Sequence, residues 1–132
     1  MLATINNGVL ILPSLIPDAG MGLFAQRTFR KGEYITLYDG EVVTRDEANR
    51  RRHTHMAARE GIIVDGLKTQ IEGRGGGSFA NGTRLEKESN ASIVCQLANL
   101  IIKAKRDIES GEEIIVCYGR RGFWRAMPST HH

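Results

Sequence analysis

Cysteine is scarce in this chain: Cys95 and Cys117 are the two among 132 residues. Each sits in an apolar run, "SIVCQL" and "IIVCYG". That context predicts two buried free thiols rather than a disulfide or a metal pair. No C-x-x-C and no H-E-x-x-H occurs, so no zinc site is expected. No apolar run approaches about 18 residues, so no membrane span is expected. The opening, "MLATINNGVLILPSLIP", lacks a basic start and reads poorly as a signal peptide. No composition break marks a linker, and no internal repeat is visible.

What remains is the profile of one globular domain. Hydrophobic residues make up 41% and charged residues 25%, a balance that can bury a core and is not that of a disordered chain. The net charge is +3, with positives concentrated at Arg45–Arg59 and at Arg120, Arg121 and Arg125. Such a face can contact nucleic acid, including through Arg50, Arg51 and Arg52, or simply be solvated. No aromatic residue interleaves with the first cluster, so base stacking is not indicated. Residues 126–132, ending in His131 and His132, read as a tail.

Short β-like runs dominate. They are Val9–Leu12, Tyr34–Tyr38, Glu41–Val43, Ile62–Gly66, Thr69–Gly73, "SIVCQL", "NLIIKAK" and Ile114–Gly119, with Asp39-Gly40 as a hairpin signal. Thr44 followed by Glu47 is a capping-box pattern, which predicts one helix over about Arg45–Ala58. "GRGGGSFANG" (Gly73–Gly82) is loop-like. Many short strands with one helix predict a mainly β domain, not βαβ repeats.

Gly20-Met21-Gly22-Leu23-Phe24-Ala25 fits G-x-G-x-x-A, the pattern of a dinucleotide-binding turn. That motif needs a strand before it and a full helix after it. Here Pro17-Asp18-Ala19 precede it and Gly32 follows soon after Ala25, so no crossover helix fits. Glu41, at the distance of a ribose-binding acid, does not compensate. The glycines read as a turn between two strands.

Four ordered segments carry more. They are "DAGMGLFAQRTFRKGEYI", "LYDGEVVTRDEANRR", "GSFANGTRLEKESNA" and "IKAKRDIESGEEIIVCYG". Together, over about Ile11–Arg125, they resemble the SET domain of protein lysine methyltransferases. The last segment, similar to that family's I-x-A-x-R-D-I-x-x-G-E-E run ending in Tyr-Gly, is the most specific. The resemblance implies a single SET domain over 1–132, with the β-clip fold: short curled sheets, one helix near 45–58 and a knot-like C-terminal threading. It implies transfer of a methyl group from S-adenosylmethionine, leaving S-adenosyl-L-homocysteine, to a protein lysine, with histone tails the leading substrate and no metal. A peptide bound as an added strand, an intracellular and plausibly nuclear location, and a homodimer are compatible with it.

The resemblance also assigns residues. Gly20, Met21, Gly22 and Phe24 would pass their backbone along the cofactor, and glycines allow such close approach. Ser78, Asn81 and Gly82 would form the third cofactor segment, with the Asn81 amide facing an ammonium and a carboxylate. Tyr118 would be the catalytic tyrosine and Tyr38 a second hydroxyl near the lysine amine. Trp124 would stack on the adenine. Phe123, Val116, Tyr38 and Tyr118 would line the lysine channel. The plainer readings are a turn at Asn81-Gly82, core aromatics at the tyrosines, and an amphipathic anchor at Phe123-Trp124.

Departures from the family pattern are specific. Gly82-Thr83 replaces His-Ser, Ser78 replaces an arginine, Ser89 replaces the proline before Asn90, and the loop to Asn90 is longer by about three residues. Cys117 stands where an acid is common. Val116, where Phe or Tyr is common, leaves room for a methylated amine and predicts di- or trimethylation. These substitutions also keep open a catalytically weak or inactive peptide-binding module. Flanking zinc segments are missing.

Overall fold

The computed structural model of the chain describes residues 8–51, 55–71 and 76–117. Tyr118, Phe123, Trp124 and the arginines at 120, 121 and 125 lie outside them. The described elements are β1 (Val9–Pro13), β2 (Met21–Ala25), β3 (Tyr34–Leu37), β4 (Glu41–Val43), α1 (Arg45–Arg51), β5 (Met56–Arg59) and β6 (Ile62–Asp65). They continue with α2 (Leu67–Ile71), β7 (Asn81–Thr83), β8 (Ala91–Gln96), β9 (Asn99–Ala104) and β10 (Ile115–Cys117). Single 3-10 turns span Gly77–Phe79 and Glu86–Glu88.

The strands form three small sheets: β1-β2, β3-β9-β8-β10-β7 and β4-β6-β5. The expectation of a mainly β domain holds. Period-two patterning explains the main packing. Val9 and Ile11 on β1, Ala91 and Ile93 on β8, and Leu100, Ile102 and Ala104 on β9 all point into one core with Leu23, Phe29, Ile108, Ile114 and Val116. A second, smaller core of Ala48, Met56 and Ile63 lies under α1.

The last strand described, β10, is inserted between β7 and β8 and runs parallel to both. It stands in register with β7 through Ile115↔Asn81, Val116↔Gly82 and Cys117↔Thr83. The link from β7 to β8, which carries the 3-10 turn Glu86–Glu88, therefore crosses β10. This is the described part of the threading.

Five sequence expectations need correction. The described helix spans Arg45–Arg51, and Met56–Arg59 pairs with β6 as a strand. Ala57 and Met56 are fully buried there, so sheet burial outweighs alanine's helix preference, which is the strongest of any residue. Only half of the capping box forms. The Glu47 N–H donates to Thr44 Oγ1 at 3.1 Å, but the Glu47 carboxylate turns to Arg50 and Arg51. The described part of the strand expected over Thr69–Gly73 is helical, within α2, which the Leu67 N–H opens by donating to Asp65 Oδ1 at 2.9 Å. Asp39-Gly40 closes no hairpin, since β3 pairs with β9 and β4 with β6. The two cysteines are free but half-buried.

Arg51 ties the small sheet together. It donates to Glu41 at 2.9 Å, Glu47 at 2.9 Å and the buried Asp65 at 2.7 Å. Arg50 also pairs with Glu47, so these two arginines of the first basic cluster are matched by acids. Hydrogen bonds from Arg51 and then Arg50 hold the Glu47 carboxyl below its ordinary value of 4.5. Arg27, followed by the Arg30 N–H, lowers Glu33 in the same way. Carboxyls lowered by folding add stability that is present above the unfolded value and is lost as pH falls through the folded one. The urea midpoint should therefore drop as pH falls through and below the unfolded carboxyl range near 4.5, and an Arg51→Met variant should show a shallower drop. Parallel pH profiles for the two proteins would remove this assignment.

Candidate functional site

The segment that joins β1 to β2 is a tight loop. The Ser14 N–H donates to the Gly20 carbonyl at 2.8 Å, and the Ala19 N–H to the Ile16 carbonyl at 3.2 Å. Gly20 closes the loop with a left-handed φ of 72°, and a Cβ there would meet open space. Gly22 differs. It lies within β2, paired with Leu12. A Cβ there would stand 2.3 Å from Glu113 Oε2 and 3.2 Å from Asn81 Nδ2. The two glycines of the motif answer two demands, a backbone angle and an empty space.

That space is filled by Glu113, which is 8% exposed. Its Oε2 accepts from Ser14 Oγ at 2.7 Å and from Asn81 Nδ2 at 3.2 Å, and its Oε1 accepts from the Leu15 N–H at 2.9 Å. Asn81 Nδ2 also donates to the Met21 carbonyl at 3.1 Å. Backbone bonds reinforce the junction: Ala25 N–H to the Glu112 carbonyl at 2.9 Å, and Ile114 N–H to the Leu23 carbonyl at 2.7 Å. One cluster thereby joins β2, β7 and the approach to β10.

Asn90 sets β10 beside β8. Its Nδ2 donates to the Glu113 carbonyl at 2.9 Å, and its Oδ1 accepts from the Ile115 N–H at 2.8 Å. Its own N–H donates to the Ile115 carbonyl at 2.9 Å.

Among the expected site residues, Met21, Gly22, Asn81, Gly82 and Val116 come together at this junction. Phe24 forms a bridge to Glu113 and is buried, and Gly20 ends the loop beside it. Val116 is fully buried in the main core. Tyr38 is buried at the end of β3 and donates its N–H to the Leu100 carbonyl at 2.8 Å. The 3-10 turn Gly77–Phe79 packs on it, with the Gly77 Cα so close that a Cβ would stand 2.5 Å from the Leu37 carbonyl oxygen. Ser78 follows in that turn. Its Oγ is buried without a hydrogen-bond partner and faces Gly66.

Cys117 ends β10 beside Glu86. Lys105, then the Cys117 thiol, lower the Glu86 carboxyl by hydrogen bonding to it. Among the described residues, no group of three or more His, Cys, Asp or Glu is arranged to hold a metal ion. No helix among them is long and apolar enough to cross a membrane.

Sequence reasoning overlooked Glu113 and Ser14 as site residues. The available signal was an acid at the start of an apolar strand, in "GEEIIVC". A carboxylate there must find donors when the strand is buried.

The SET domain family model matches residues 20–119. The chain belongs to the SET domain family. The N-lysine methyltransferase KMT5A of Xenopus tropicalis is 26% identical over 120 residues, covering 81% of this chain and 35% of that protein. The histone-lysine N-methyltransferase ash1 of Drosophila melanogaster is 31% identical over 111 residues, covering 76% of this chain and 5% of that protein. Among solved structures, the methyltransferase domain of human PR domain-containing protein 2 matches with a TM-score of 0.66 and 18% identity. That match covers 87% of this chain and 79% of the other. A ctPRC2 structure in an autoinhibited conformation, bound to S-adenosylmethionine, matches with a TM-score of 0.69 and 24% identity, covering 93% of this chain and 16% of that one. The chain spans about a third of the length of its KMT5A relatives.

Proposed function

We propose that the chain transfers a methyl group from S-adenosylmethionine to the ε-amine of a protein lysine, with a histone tail as the leading substrate. The observation that carries this reading is the convergence of Met21, Gly22 and Asn81 beside β10, whose last residue, Cys117, immediately precedes Tyr118 in sequence. Names of the relatives, several of them lysine methyltransferases, support it. A chromatin-associated, nuclear setting follows from the same relatives as part of the proposal.

The residues fit the cofactor's chemistry. Both hydrogens of Asn81 Nδ2 are engaged, by the Met21 carbonyl and Glu113. The Oδ1 is then the face of the amide left to accept from the donor's ammonium. Bound there, S-adenosylmethionine would supply the methyl group to the lysine nitrogen, the C–S electron pair returning to sulfur. Tyr118 and Tyr38 orient the amine through their hydroxyls, and alignment rather than covalent catalysis is the main contribution. The lysine proton passes to water, helped by an apolar channel that lowers the amine's pKa. The family resemblance would assign Trp124 to the adenine and Phe123 to the channel. Val116 leaves space for a methylated amine.

Labelled S-adenosylmethionine, incubated with the protein and with histones or a cell lysate, should label a protein substrate. Tyr118→Phe should reduce that label at least about a hundredfold. Label transfer unchanged by Tyr118→Phe would defeat the site assignment. No transfer, with no cofactor binding by calorimetry, would favour a non-enzymatic peptide-binding module. Mass spectra should show di- or trimethyl product at enzyme excess; only monomethyl product would remove the role given to Val116.

A further inference from the structure

Two carboxylates are buried among the described residues, Asp65 and Glu113. Asp65 is matched by the Arg51 guanidinium at 2.7 Å. Glu113 receives neutral donors instead: the Ser14 hydroxyl, the Leu15 N–H and the Asn81 amide. Every one of these contacts is a donor, which suits an ionised, acceptor-only carboxylate. A buried charge without a counter-charge is costly, and a cation bound nearby relieves that cost. Its carboxylate lies in the space left by the missing Gly22 side chain, hydrogen-bonded to the amide of Asn81.

We infer that Glu113 is a positioning residue for the methyl donor, and that its charge makes the site prefer the cationic donor to the neutral thioether product. This rests on the function proposed above and extends it. The positioning follows from the hydrogen bonds. Glu113 and the Met21 carbonyl fix the Asn81 Nδ2, which directs Oδ1 to the ligand. Through Ser14 and Leu15 the same carboxylate holds the loop that leads into β2. The preference follows from charge. The donor carries a sulfonium and an ammonium against one carboxylate. The product keeps the ammonium and the carboxylate and has lost the sulfonium charge. A fixed negative charge in a poorly solvated junction favours the first over the second. Transfer of the methyl group then weakens the enzyme's hold on what remains, which favours product release.

The test is calorimetric, on the full chain. Wild type, Glu113→Gln and Ser14→Ala are titrated with S-adenosylmethionine and with S-adenosylhomocysteine, and thermal melts check folding. Glu113→Gln is expected to reduce the donor-to-product affinity ratio about tenfold. Ser14→Ala keeps the charge, so its ratio should match wild type even where both ligands bind less tightly. A ratio unchanged in Glu113→Gln would overturn the inference, as would equal losses for both ligands. If Glu113→Gln does not fold, wild type alone decides. An analogue with an ammonium in place of the sulfonium should bind at least about tenfold tighter than the thioether, and equal affinities would overturn the inference. A wild type that binds the donor but shows no such preference fails here while leaving the proposed function standing. A wild type that binds neither ligand removes both.

Discussion

Gly22→Ala is expected to destabilise the protein by about 3 kcal/mol and to weaken S-adenosylmethionine binding at least about tenfold. The added Cβ would sit 2.3 Å from Glu113 Oε2 and 3.0 Å from Glu113 Cδ. The carboxylate would have to leave, and with it go the bonds from Ser14, Leu15 and Asn81. Gly20→Ala is the matched comparison. Its Cβ meets nothing, and only the left-handed φ of 72° opposes it, a cost of about 1 kcal/mol. Urea denaturation and calorimetry on the two variants would separate the effects. If Gly20→Ala proves the more damaging, space at Gly22 is not what the motif protects.

The second large effect is expected at Asn90, which is 3% exposed. Asn90→Ala leaves the Glu113 carbonyl and the Ile115 N–H without their side-chain partner. Two backbone groups deprived of a partner in a dry junction cost together about 3 kcal/mol. Asn90→Asp should recover part of this, because an oxygen can still accept from Ile115, but it cannot donate to the Glu113 carbonyl. The expected order in urea midpoint is wild type, then Asp, then Ala. Methyl transfer should fall in the same order, since Asn90 holds the strand that leads to Tyr118. An alanine variant as stable as wild type would show that β8 and β10 hold together without it.

The strands were legible wherever period-two burial was strong, as in Val9–Pro13, Ala91–Gln96 and Asn99–Ala104. The start of α1 was legible from Thr44, whose side chain does cap it. Its end was not, because Met56–Arg59 becomes a strand only through its partner β6, and no local signal encodes that partner. The β8–β9 turn falls at Leu97-Ala98, both at positive φ, whereas the apolar run "SIVCQL" carried the strand through Leu97. Leu97 and Ala98 are not turn formers; the register between two apolar strands puts them there. At the candidate site, motif resemblance singled out Asn81 and the glycines as expectations. It gave no reason for Gly22, because that reason is a side chain nearly a hundred positions away. The bonds from Ser14 and Asn81 to Glu113 span 99 and 32 positions and have no local pattern.

The place of β10 has a consequence for the order of assembly. β7, which carries Asn81, lies at the edge of its sheet and pairs with β10 alone. Until residues 113–117 have been synthesised and have entered the slot beside β8, nothing in the sheet holds β7. A growing chain thus completes its β1-β2 ribbon and β8-β9 hairpin well before the junction that carries the candidate site. Such distant pairings fold slowly, because the loop entropy is lost before the contacts form. A methyl donor that engages Asn81 would then act on folding as well as on chemistry, by trapping the slot in its closed form.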